Sequence, residues 1–350
     1  METRILKAMG HMPEDSEVME LASKIISNGG LCAIPTETVY GLAGNALDPE
    51  ASRKIYEAKG RPSDNPLIVH ISDINDLNKI AVDIPESAYL LAEKFWPGPL
   101  TMILKKGSSV PKETTGGLDT VAVRMPSNRI AAEFISACGG FIAAPSANAS
   151  GRPSCTEAKH VKEDLNGKIP LIIDGGRVGI GLESTIIDLT GEIPCLLRPG
   201  YIDLKVLRNI LGKVDTDPAL SGKESDAPPK APGMKYKHYA PKGDLKIVSG
   251  KTDRVVSYIN EKTSEAETND VKAAVLCCSE NATLYKCSLV SPAGSIYNEE
   301  EIARNLFSIL REFDLNDVKL IYSEEFYTPE IGMAIMNRLV KAAGNDIIKV

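Results

Sequence analysis

The fold is decided by the run Pro35-Thr36-Glu37-Thr38-Val39-Tyr40-Gly41-Leu42, which lies within the stretch 31–70. The preceding residues Leu31–Ile34 are apolar and are bounded by glycines and a proline, a pattern typical of a buried strand that ends at a turn. Just past this strand, the run offers two threonine hydroxyls, a carboxylate, a phenol and a glycine. Loops at strand ends are where α/β folds bind ligands, so the run predicts a binding site.

A second polar segment follows the next predicted helix. Lys59-Gly60-Arg61-Pro62 closes that helix, and Ser63-Asp64-Asn65-Pro66 leads into the predicted strand Leu67–Ile71. Two cations beside small polar groups at a strand end indicate a site for an anion such as phosphate. The alternative is a polar turn next to a helix C-terminus, where the basic residues only complement the helix dipole.

Composition and charge exclude several classes of protein. A chain of 350 residues with 43% hydrophobic and 25% charged residues is expected to form two soluble globular domains. The net charge of −7 argues against a broad nucleic-acid-binding face. Seven scattered cysteines without a CxxC pair are typical of a reducing compartment. Because neither an apolar leader nor a stretch of membrane length occurs, we expect a cytoplasmic protein that does not enter a membrane.

The domain organisation follows from pattern and composition. Up to residue 211, predicted strands outnumber helices and several are close together, which predicts an α/β domain with a twisted mixed sheet. Residues 212–241 are rich in Pro, Gly, Ser, Asp and Lys, which predicts a linker. From 242 to 350, strands alternate with helices, among them Glu299–Phe313 with Asn298 as its cap. This alternation predicts a smaller, parallel, Rossmann-like α/β domain.

Four polar clusters in the first domain each lie beside a predicted strand, and two strand-end arginines add cations. They are residues 36–40, 59–65, 146–154 and 183–185, with Arg124 and Arg198. Hydroxyls, amides and glycine N–H groups can bind phosphate oxygens without a Walker loop. Neither G-x-x-x-x-G-K-[ST] nor G-x-S-x-G occurs, and the histidines do not pair obviously with a serine or cysteine. The sequence therefore favours catalysis by positioning and electrostatic stabilisation over a covalent nucleophile.

Three motifs together resemble those of the two-domain threonylcarbamoyl-AMP synthases. They are the run 35–42, the pair Lys59-Gly60-Arg61 and Ser146-Ala147-Asn148, and the segment Pro232–Pro241. The paired K-x-R and S-x-N signature is specific to the YrdC-like fold, and the segment 232–241 is specific to its long, two-domain branch. The resemblance covers almost the whole chain. It implies a YrdC-like catalytic domain over 1–211 and the Rossmann-like domain of that branch over 242–350.

The resemblance also implies a reaction. The family makes L-threonylcarbamoyl-adenylate from L-threonine, bicarbonate or CO2, and ATP, and it releases pyrophosphate. The product passes to a tRNA threonylcarbamoyl transferase complex, which modifies the adenosine beside the anticodon (t6A) in tRNAs reading ANN codons, so direct tRNA binding is not required. Mg²⁺ is expected to be held mainly by the ATP phosphates and water, with no metal site built from protein side chains.

Individual residues gain expected roles from the same resemblance. Those expected to bind threonine are Thr38, His70, Arg124, Ala144 and Ser184. Those expected to bind ATP are Arg61, Asn65, Thr120, Ser146, Asn148, Ser154, Arg198 and Tyr236. Lys59 and Arg61 are expected to be catalytic, because an anionic carbamate must approach an anionic triphosphate. Arg124 suits the threonine carboxylate because its guanidinium can bind both oxygens.

Alternatives stay open for single residues and for the whole chain. His70 is as compatible with a structural histidine as with a ligand contact, and Ser154 and Thr120 are also compatible with plain turns. Glu37 is compatible with a residue that only closes a turn, and it is left out of the catalytic set. A double-stranded-RNA-binding module of the same fold is a rival of another class. A carbamoyl transferase of hydrogenase maturation is a second rival, but its zinc-binding CxxC motifs are absent.

The predicted linker has two halves of different composition. Pro232–Pro241 concentrates two tyrosines, a histidine and two lysines between prolines, whereas residues 212–231 resemble a flexible spacer. Aromatic and cationic side chains in one short segment predict a lid over a polyanionic ligand. The alternative is a segment that only packs between the two domains.

Overall fold

The computed structural model of the chain describes residues 2–10, 13, 15–221, 230–231, 238–326 and 328–350. The chain divides into two compact units. The first comprises Met1–Ser150, Ser154–Gly179 and Glu183–Lys235, and the second comprises Gly151–Pro153, Ile180–Leu182 and Tyr236–Val350.

The first unit is built on a mixed sheet of twelve strands in the described part of the chain. The strands are β1 (Arg4–Lys7), β2 (Cys32–Ile34), β3 (Gly41–Asn45), β4 (Ile68–His70), β5 (Ala81–Val82), β6 (Leu100–Lys106), β7 (Thr120–Arg124), β8 (Ile142–Ala143), β9 (Leu171–Asp174), β10 (Thr185–Asp188), β11 (Cys195–Arg198) and β12 (Asp215–Thr216). Their order is β1-β9-β2-β3-β8-β4-β7-β6-β10-β11-β12, with β5 paired to β6. Pairs β4–β7 and β6–β10 are parallel, whereas β2–β3 and β6–β7 are antiparallel. The predicted mixed sheet is confirmed.

The helices of this unit connect and cover the strands. They are α1 (Ser16–Ser27), α2 (Pro49–Lys59), α3 (Leu77–Ile80), α4 (Glu86–Phe95), α5 (Arg129–Ala137), α6 (Ala158–Leu165) and α7 (Leu204–Leu211). Helix α2 begins at a cap in which the Asp48 carboxylate accepts a hydrogen bond from the Glu50 N–H at 2.9 Å. It ends at Gly60, whose φ of 62° is the left-handed conformation that glycine adopts at least cost. The chain therefore turns directly after Lys59.

Strand β3 is absent from the sequence-based predictions, as are helices α6 and α7. The sequence of β3, Gly41-Leu42-Ala43-Gly44-Asn45, is rich in residues that are depleted in strands. The structure explains one of these glycines, because a Cβ at Gly44 would lie 2.9 Å from the Leu31 side chain and 3.1 Å from that of Ile55. Close packing, which local propensity does not report, decides this strand.

The second unit contains a five-stranded parallel sheet in the part of the chain that is described. Its elements are β13 (Asp244–Ser249), α8 (Thr252–Thr268), β14 (Ala273–Cys278), β15 (Val290–Gly294), α9 (Glu299–Leu315), β16 (Leu320–Glu324), α10 (Gly332–Ala342) and β17 (Ile347–Lys349), and the strand order is β15-β14-β16-β13-β17. The Asn298 side chain caps α9 by accepting a hydrogen bond from the Glu301 N–H at 3.3 Å. The predicted parallel, Rossmann-like domain is confirmed.

The predicted linker 212–241 is only partly described. Strand β12 and residues 230–231 belong to the described part, whereas residues 222–229 and 232–237 lie outside it. The lid predicted over 232–241 therefore falls mostly outside the described residues. The domain bounds 1–211 and 242–350 stay predictions.

Candidate active site

A row of residues in register crosses five neighbouring strands of the first unit. His70 on β4 is the partner of Arg124 on β7, and Arg124 is the partner of Thr101 on β6. Thr101 is in turn the partner of Ile186 on β10, which is the partner of Arg198 on β11. Three strand spacings separate the two arginines, which is roughly 14 Å. The sheet thus sets two buried cations a fixed distance apart.

Arg124 is 4% exposed and is held from three sides. Its Nε donates a hydrogen bond to the carbonyl of Gly98 at 3.2 Å, and its Nη1 donates to the Thr38 hydroxyl at 2.9 Å. Its Nη2 lies 2.7 Å from Oε1 of Glu37 in an ion pair. The Thr36 hydroxyl lies 2.8 Å from that of Thr38, so the two threonines of the motif form one small network. The motif 35–42 is therefore fixed against the end of β7.

His70 lies beside Arg124 and is buried. Its Nδ1 is 3.1 Å from the carbonyl oxygen of Ile68. Burial, and next the Arg124 guanidinium, lower the pKa of His70 to about 3. The imidazole is therefore neutral near pH 7. The N–H of Ala144 donates to the same Ile68 carbonyl at 3.0 Å, which places the predicted threonine residues Thr38, His70, Arg124 and Ala144 around one small region.

Ser184 and Arg198 form a second polar group, centred on the buried Thr101. The hydroxyls of Thr101 and Ser184 are 2.7 Å apart. Arg198 donates through Nε to the Ser184 carbonyl at 3.1 Å and through Nη2 to the Ser184 hydroxyl at 3.2 Å. One residue predicted to bind threonine and one predicted to bind ATP are thus in direct contact.

The K-x-R and S-x-N motifs contact each other. Leu42 donates its N–H to the Pro145 carbonyl at 2.8 Å, which ties the loop after β8 to β3. The ammonium group of Lys59 is buried and donates to the carbonyls of Ser146 and Asn148. The Lys59 ammonium group is therefore held in place by the backbone of the S-x-N motif.

Arg61, the last residue of the K-x-R motif, contacts Asn65 in the segment that leads into β4. Arg61 is 9% exposed, and its Nη2 donates to the carbonyls of Asn65 at 3.2 Å and Pro66 at 3.1 Å. The side-chain oxygen of Asn65 is buried and accepts no hydrogen bond from the residues that the structure describes. A buried oxygen of this kind is a candidate contact for a ligand.

Ser154, Thr120 and Tyr236 complete the predicted ATP set. The Ser154 hydroxyl donates to Oε1 of Glu183 at 2.5 Å, so this serine is positioned by a carboxylate. Thr120 is the first residue of β7, at the opposite end of that strand from Arg124. Tyr236 lies outside the described residues. The roles of all three stay predictions.

Three residues of the site are not identified by the sequence pattern. Glu37 is compatible with a plain turn residue, Glu183 stands out only as a member of a polar cluster, and Thr101 lies within an apolar strand. Thr101 carries no local signal, because a single threonine among apolar residues is typical of any buried strand. Only the pairing of β6 with β7 and β10 brings its hydroxyl into the site.

Neither a metal centre nor a membrane-spanning helix is found in the described part of the chain. None of the His, Cys, Asp and Glu side chains there form a group of three or more that could hold a metal ion. No helix among the described residues has both the length and the apolar character needed to cross a membrane.

Both parts of the chain match known protein families. A family described as "Telomere recombination" matches residues 24–200, and the family "Threonylcarbamoyl-AMP synthase, C-terminal domain" matches residues 202–344. The threonylcarbamoyl-AMP synthase of Pyrococcus abyssi is 49% identical over 332 residues, which cover 95% of this chain and 96% of that protein. The threonylcarbamoyl-AMP synthase of Bacillus subtilis is 45% identical over 329 residues, which cover 94% and 93%.

A solved structure agrees with these sequence matches. The crystal structure of P. abyssi Sua5 complexed with L-threonine is 47% identical and superposes with a TM-score of 0.93, covering 99% of this chain and 100% of that one. The resemblance noted in the sequence is confirmed along nearly its whole length. The chain belongs to the threonylcarbamoyl-AMP synthases, in the form that carries both domains.

Proposed function

We propose that this enzyme makes L-threonylcarbamoyl-adenylate from L-threonine, bicarbonate or CO2, and ATP, and that it releases pyrophosphate. The observation that carries the proposal is the row across the sheet, in which Arg124 and Arg198 stand three strands apart around Thr101. One cation suits the carboxylate of an amino acid, and the other suits a phosphate group.

The reaction joins two anions, and the buried cations of the site suit this task. The ammonium group of threonine first loses a proton to solvent. The free amine then adds to CO2 and loses a second proton to give a carbamate, one oxygen of the carbamate attacks the α-phosphorus, and pyrophosphate leaves. Lys59, Arg61 and Arg198 are all buried, so their charges act in a medium that screens them weakly. Mg²⁺ would be held by the ATP phosphates and water, where it would neutralise further charge on the triphosphate.

Hydrogen bonds already made in the protein support positioning as the main catalytic device. Arg61 and Lys59 are fixed by backbone carbonyls, and Arg198 is fixed by Ser184. Groups that are in place before the substrates arrive need little reorganisation during the reaction. We further propose that the product is used for the threonylcarbamoyl modification of tRNA adenosines (t6A), in the cytoplasm and through a separate transferase complex.

Product analysis tests the proposal directly. The purified full-length protein is incubated with Mg²⁺-ATP, threonine and bicarbonate, and the products are analysed by mass spectrometry. We expect threonylcarbamoyl-adenylate and pyrophosphate, each requiring both threonine and bicarbonate. Pyrophosphate release that does not depend on threonine, or an absence of the adenylate, would contradict the proposal.

A substitution at Arg61 tests whether this site carries out the reaction. Arg61→Ala removes a cation that is held at the end of α2, and losing a desolvated charge of this kind costs roughly 2–5 kcal/mol. We expect adenylate synthesis to fall by at least about thirtyfold while the protein remains folded. Arg53→Ala, at an exposed position of the same helix, serves as the control and should keep full activity.

A further inference from the structure

Glu37 and Arg124 form an ion pair in which both carboxylate oxygens and one guanidinium nitrogen make no hydrogen bond with the described residues. The two side chains are 13% and 5% exposed, and Oε1 of Glu37 lies 2.7 Å from Nη2 of Arg124. Despite this short distance, the N–H does not point at the oxygen. Among the described residues, neither oxygen of Glu37 accepts a hydrogen bond, and Nη2 of Arg124 donates none. Buried polar atoms are rarely left in this state, so the pair calls for an explanation beyond folding.

The surrounding contacts determine which of the two groups is fixed. Arg124 is anchored through Nε to Gly98 and through Nη1 to Thr38, so its third nitrogen points away from these anchors. Glu37 has no such anchor, because neither of its carboxylate oxygens accepts a hydrogen bond from the described residues, and its ion-pair partner is the Arg124 guanidinium. The neutral His70 next to Arg124 adds no charge, so Arg124 and Glu37 supply two opposite charges side by side at this point of the site.

We propose that the Glu37–Arg124 pair recognises the zwitterion of the amino-acid substrate, with Arg124 binding its carboxylate and Glu37 binding its ammonium group. The proposal rests on threonine being the substrate, as argued above. An amino acid carries the two charges complementary to this pair within a few ångströms of each other. Binding would exchange one poorly aligned ion pair for two aligned ones and would leave the net charge of the pocket unchanged.

This arrangement makes Glu37 a specificity residue. A ligand that has the carboxylate but lacks the ammonium group would bring a second negative charge next to Glu37 without compensation. Rejecting such a ligand by like-charge repulsion is an efficient form of discrimination. The site should therefore select a free amino acid over the same acid without its amino group, beyond what its shape alone achieves.

Binding measurements without ATP isolate this effect from catalysis. Dissociation constants are measured by calorimetry for threonine and for 3-hydroxybutanoate, which is threonine without its amino group. We expect the wild-type protein to prefer threonine by at least about a hundredfold, and Glu37→Gln to reduce this preference by at least about tenfold. Glu37→Asp keeps the charge and should retain more of the preference than Glu37→Gln. Glu93→Gln, an exposed position on α4, should leave the preference unchanged.

The possible results separate this proposal from the proposed function. If Glu37→Gln changes the dissociation constants of both ligands by the same factor, Glu37 does not bind the ammonium group and the proposal is wrong. If the wild-type protein binds both ligands equally well, the proposal is wrong without any variant, so a poorly folding Glu37→Gln does not leave it untested. If the wild-type protein binds no threonine at all, the proposed substrate itself is wrong.

Discussion

Two glutamates with little exposure to solvent, one in each unit, show how differently the same side chain can be used. Glu324, at the end of β16, accepts hydrogen bonds from the Cys278 N–H at 2.8 Å, the Asn281 amide at 2.8 Å and the Tyr285 hydroxyl at 2.6 Å. Glu37 accepts none from the described residues, although it lies against Arg124. The first carboxylate holds its own unit together, whereas the second keeps its capacity for a ligand.

A structural carboxylate can thus be told from a functional one without reference to its position in the chain. A satisfied buried carboxylate rigidifies the elements that it joins, and Glu324 joins β16 to the end of β14. An unsatisfied one costs stability unless binding offsets the cost. Substitutions at the two glutamates should therefore have different effects on stability and on catalysis.

The largest effect is expected from removing the cation beside Glu37. Arg124→Met leaves the Glu37 carboxylate buried without a counter-charge, which should lower the free energy of unfolding by about 3–5 kcal/mol. It should also reduce kcat/KM for threonine by at least about thirtyfold, since the carboxylate contact is lost. Calorimetric unfolding and steady-state kinetics measure the two effects.

A double variant serves as the control for that experiment. Arg124→Met combined with Glu37→Met removes both charges, so it should regain most of the lost stability and none of the lost activity. If Arg124→Met alone were as stable as the wild-type protein, Glu37 would not depend on the guanidinium, and the contrast with Glu324 would fail.

The next largest effect is expected in the second unit. Glu324→Gln keeps the shape of the side chain but replaces one of its two acceptor oxygens by a donor NH2 group. That NH2 group then lies against another donor, either the Cys278 N–H or the Tyr285 hydroxyl. Such a mismatch should cost about 1–3 kcal/mol of stability. Kinetics below the unfolding transition should show an unchanged kcat/KM for threonine, and a lowered value would mean that Glu324 is not purely structural.

Much of the fold could be predicted from the sequence, because strands such as β2 and β4 and helices such as α9 have clear apolar patterns. Strand β3 could not, because its Gly44 is required by packing against Leu31 and Ile55, which belong to other segments of the chain. In the site, the motifs around Lys59 and Ser146 are visible in the sequence, whereas Thr101 is not, since only its register partners on β7 and β10 reveal it. The role of Glu37 depends on the contact with Arg124, which no spacing encodes.

A smaller effect concerns pH and the histidine of the same pocket. The pKa of His70 is about 3 in the folded protein, below the value of about 6.5 for an unperturbed histidine. Below pH 6.5 the unfolded chain therefore takes up a proton that the folded protein does not, and stability falls as the pH falls. The slope from this residue approaches about 1.4 kcal/mol per pH unit and continues toward pH 3.

A variant isolates that contribution. His70→Asn cannot titrate, so between pH 7 and pH 5.5 it should lose about 1 kcal/mol less stability than the wild-type protein does. Urea unfolding at the two pH values measures this difference. Equal losses in the two proteins would show that His70 is not held neutral by burial beside Arg124.

The smallest effect comes from a matched pair of buried threonines, one in each unit. The Thr101 hydroxyl lies 2.7 Å from that of Ser184, and the Thr263 hydroxyl donates to the Ile259 carbonyl at 2.8 Å. Replacing either by valine keeps the shape and removes one hydrogen bond, so each variant should lose about 0.5–1.5 kcal/mol of stability. The activities should differ, because Ser184 is also a hydrogen-bond acceptor for Arg198.

Thr101→Val leaves Ser184 with one anchor fewer, so both Ser184 and the guanidinium that it orients should be positioned less well. A displacement of this kind commonly lowers catalysis without abolishing it, and we expect kcat/KM to fall about twofold to tenfold. Thr263→Val should leave kcat/KM unchanged, since its hydroxyl serves only its own helix. Equal stability losses with unequal activity losses would extend the contrast between Glu37 and Glu324 to neutral side chains. Equal losses of activity in Thr101→Val and Thr263→Val would mean that catalysis does not depend on the alignment of the side chains in the row across the sheet.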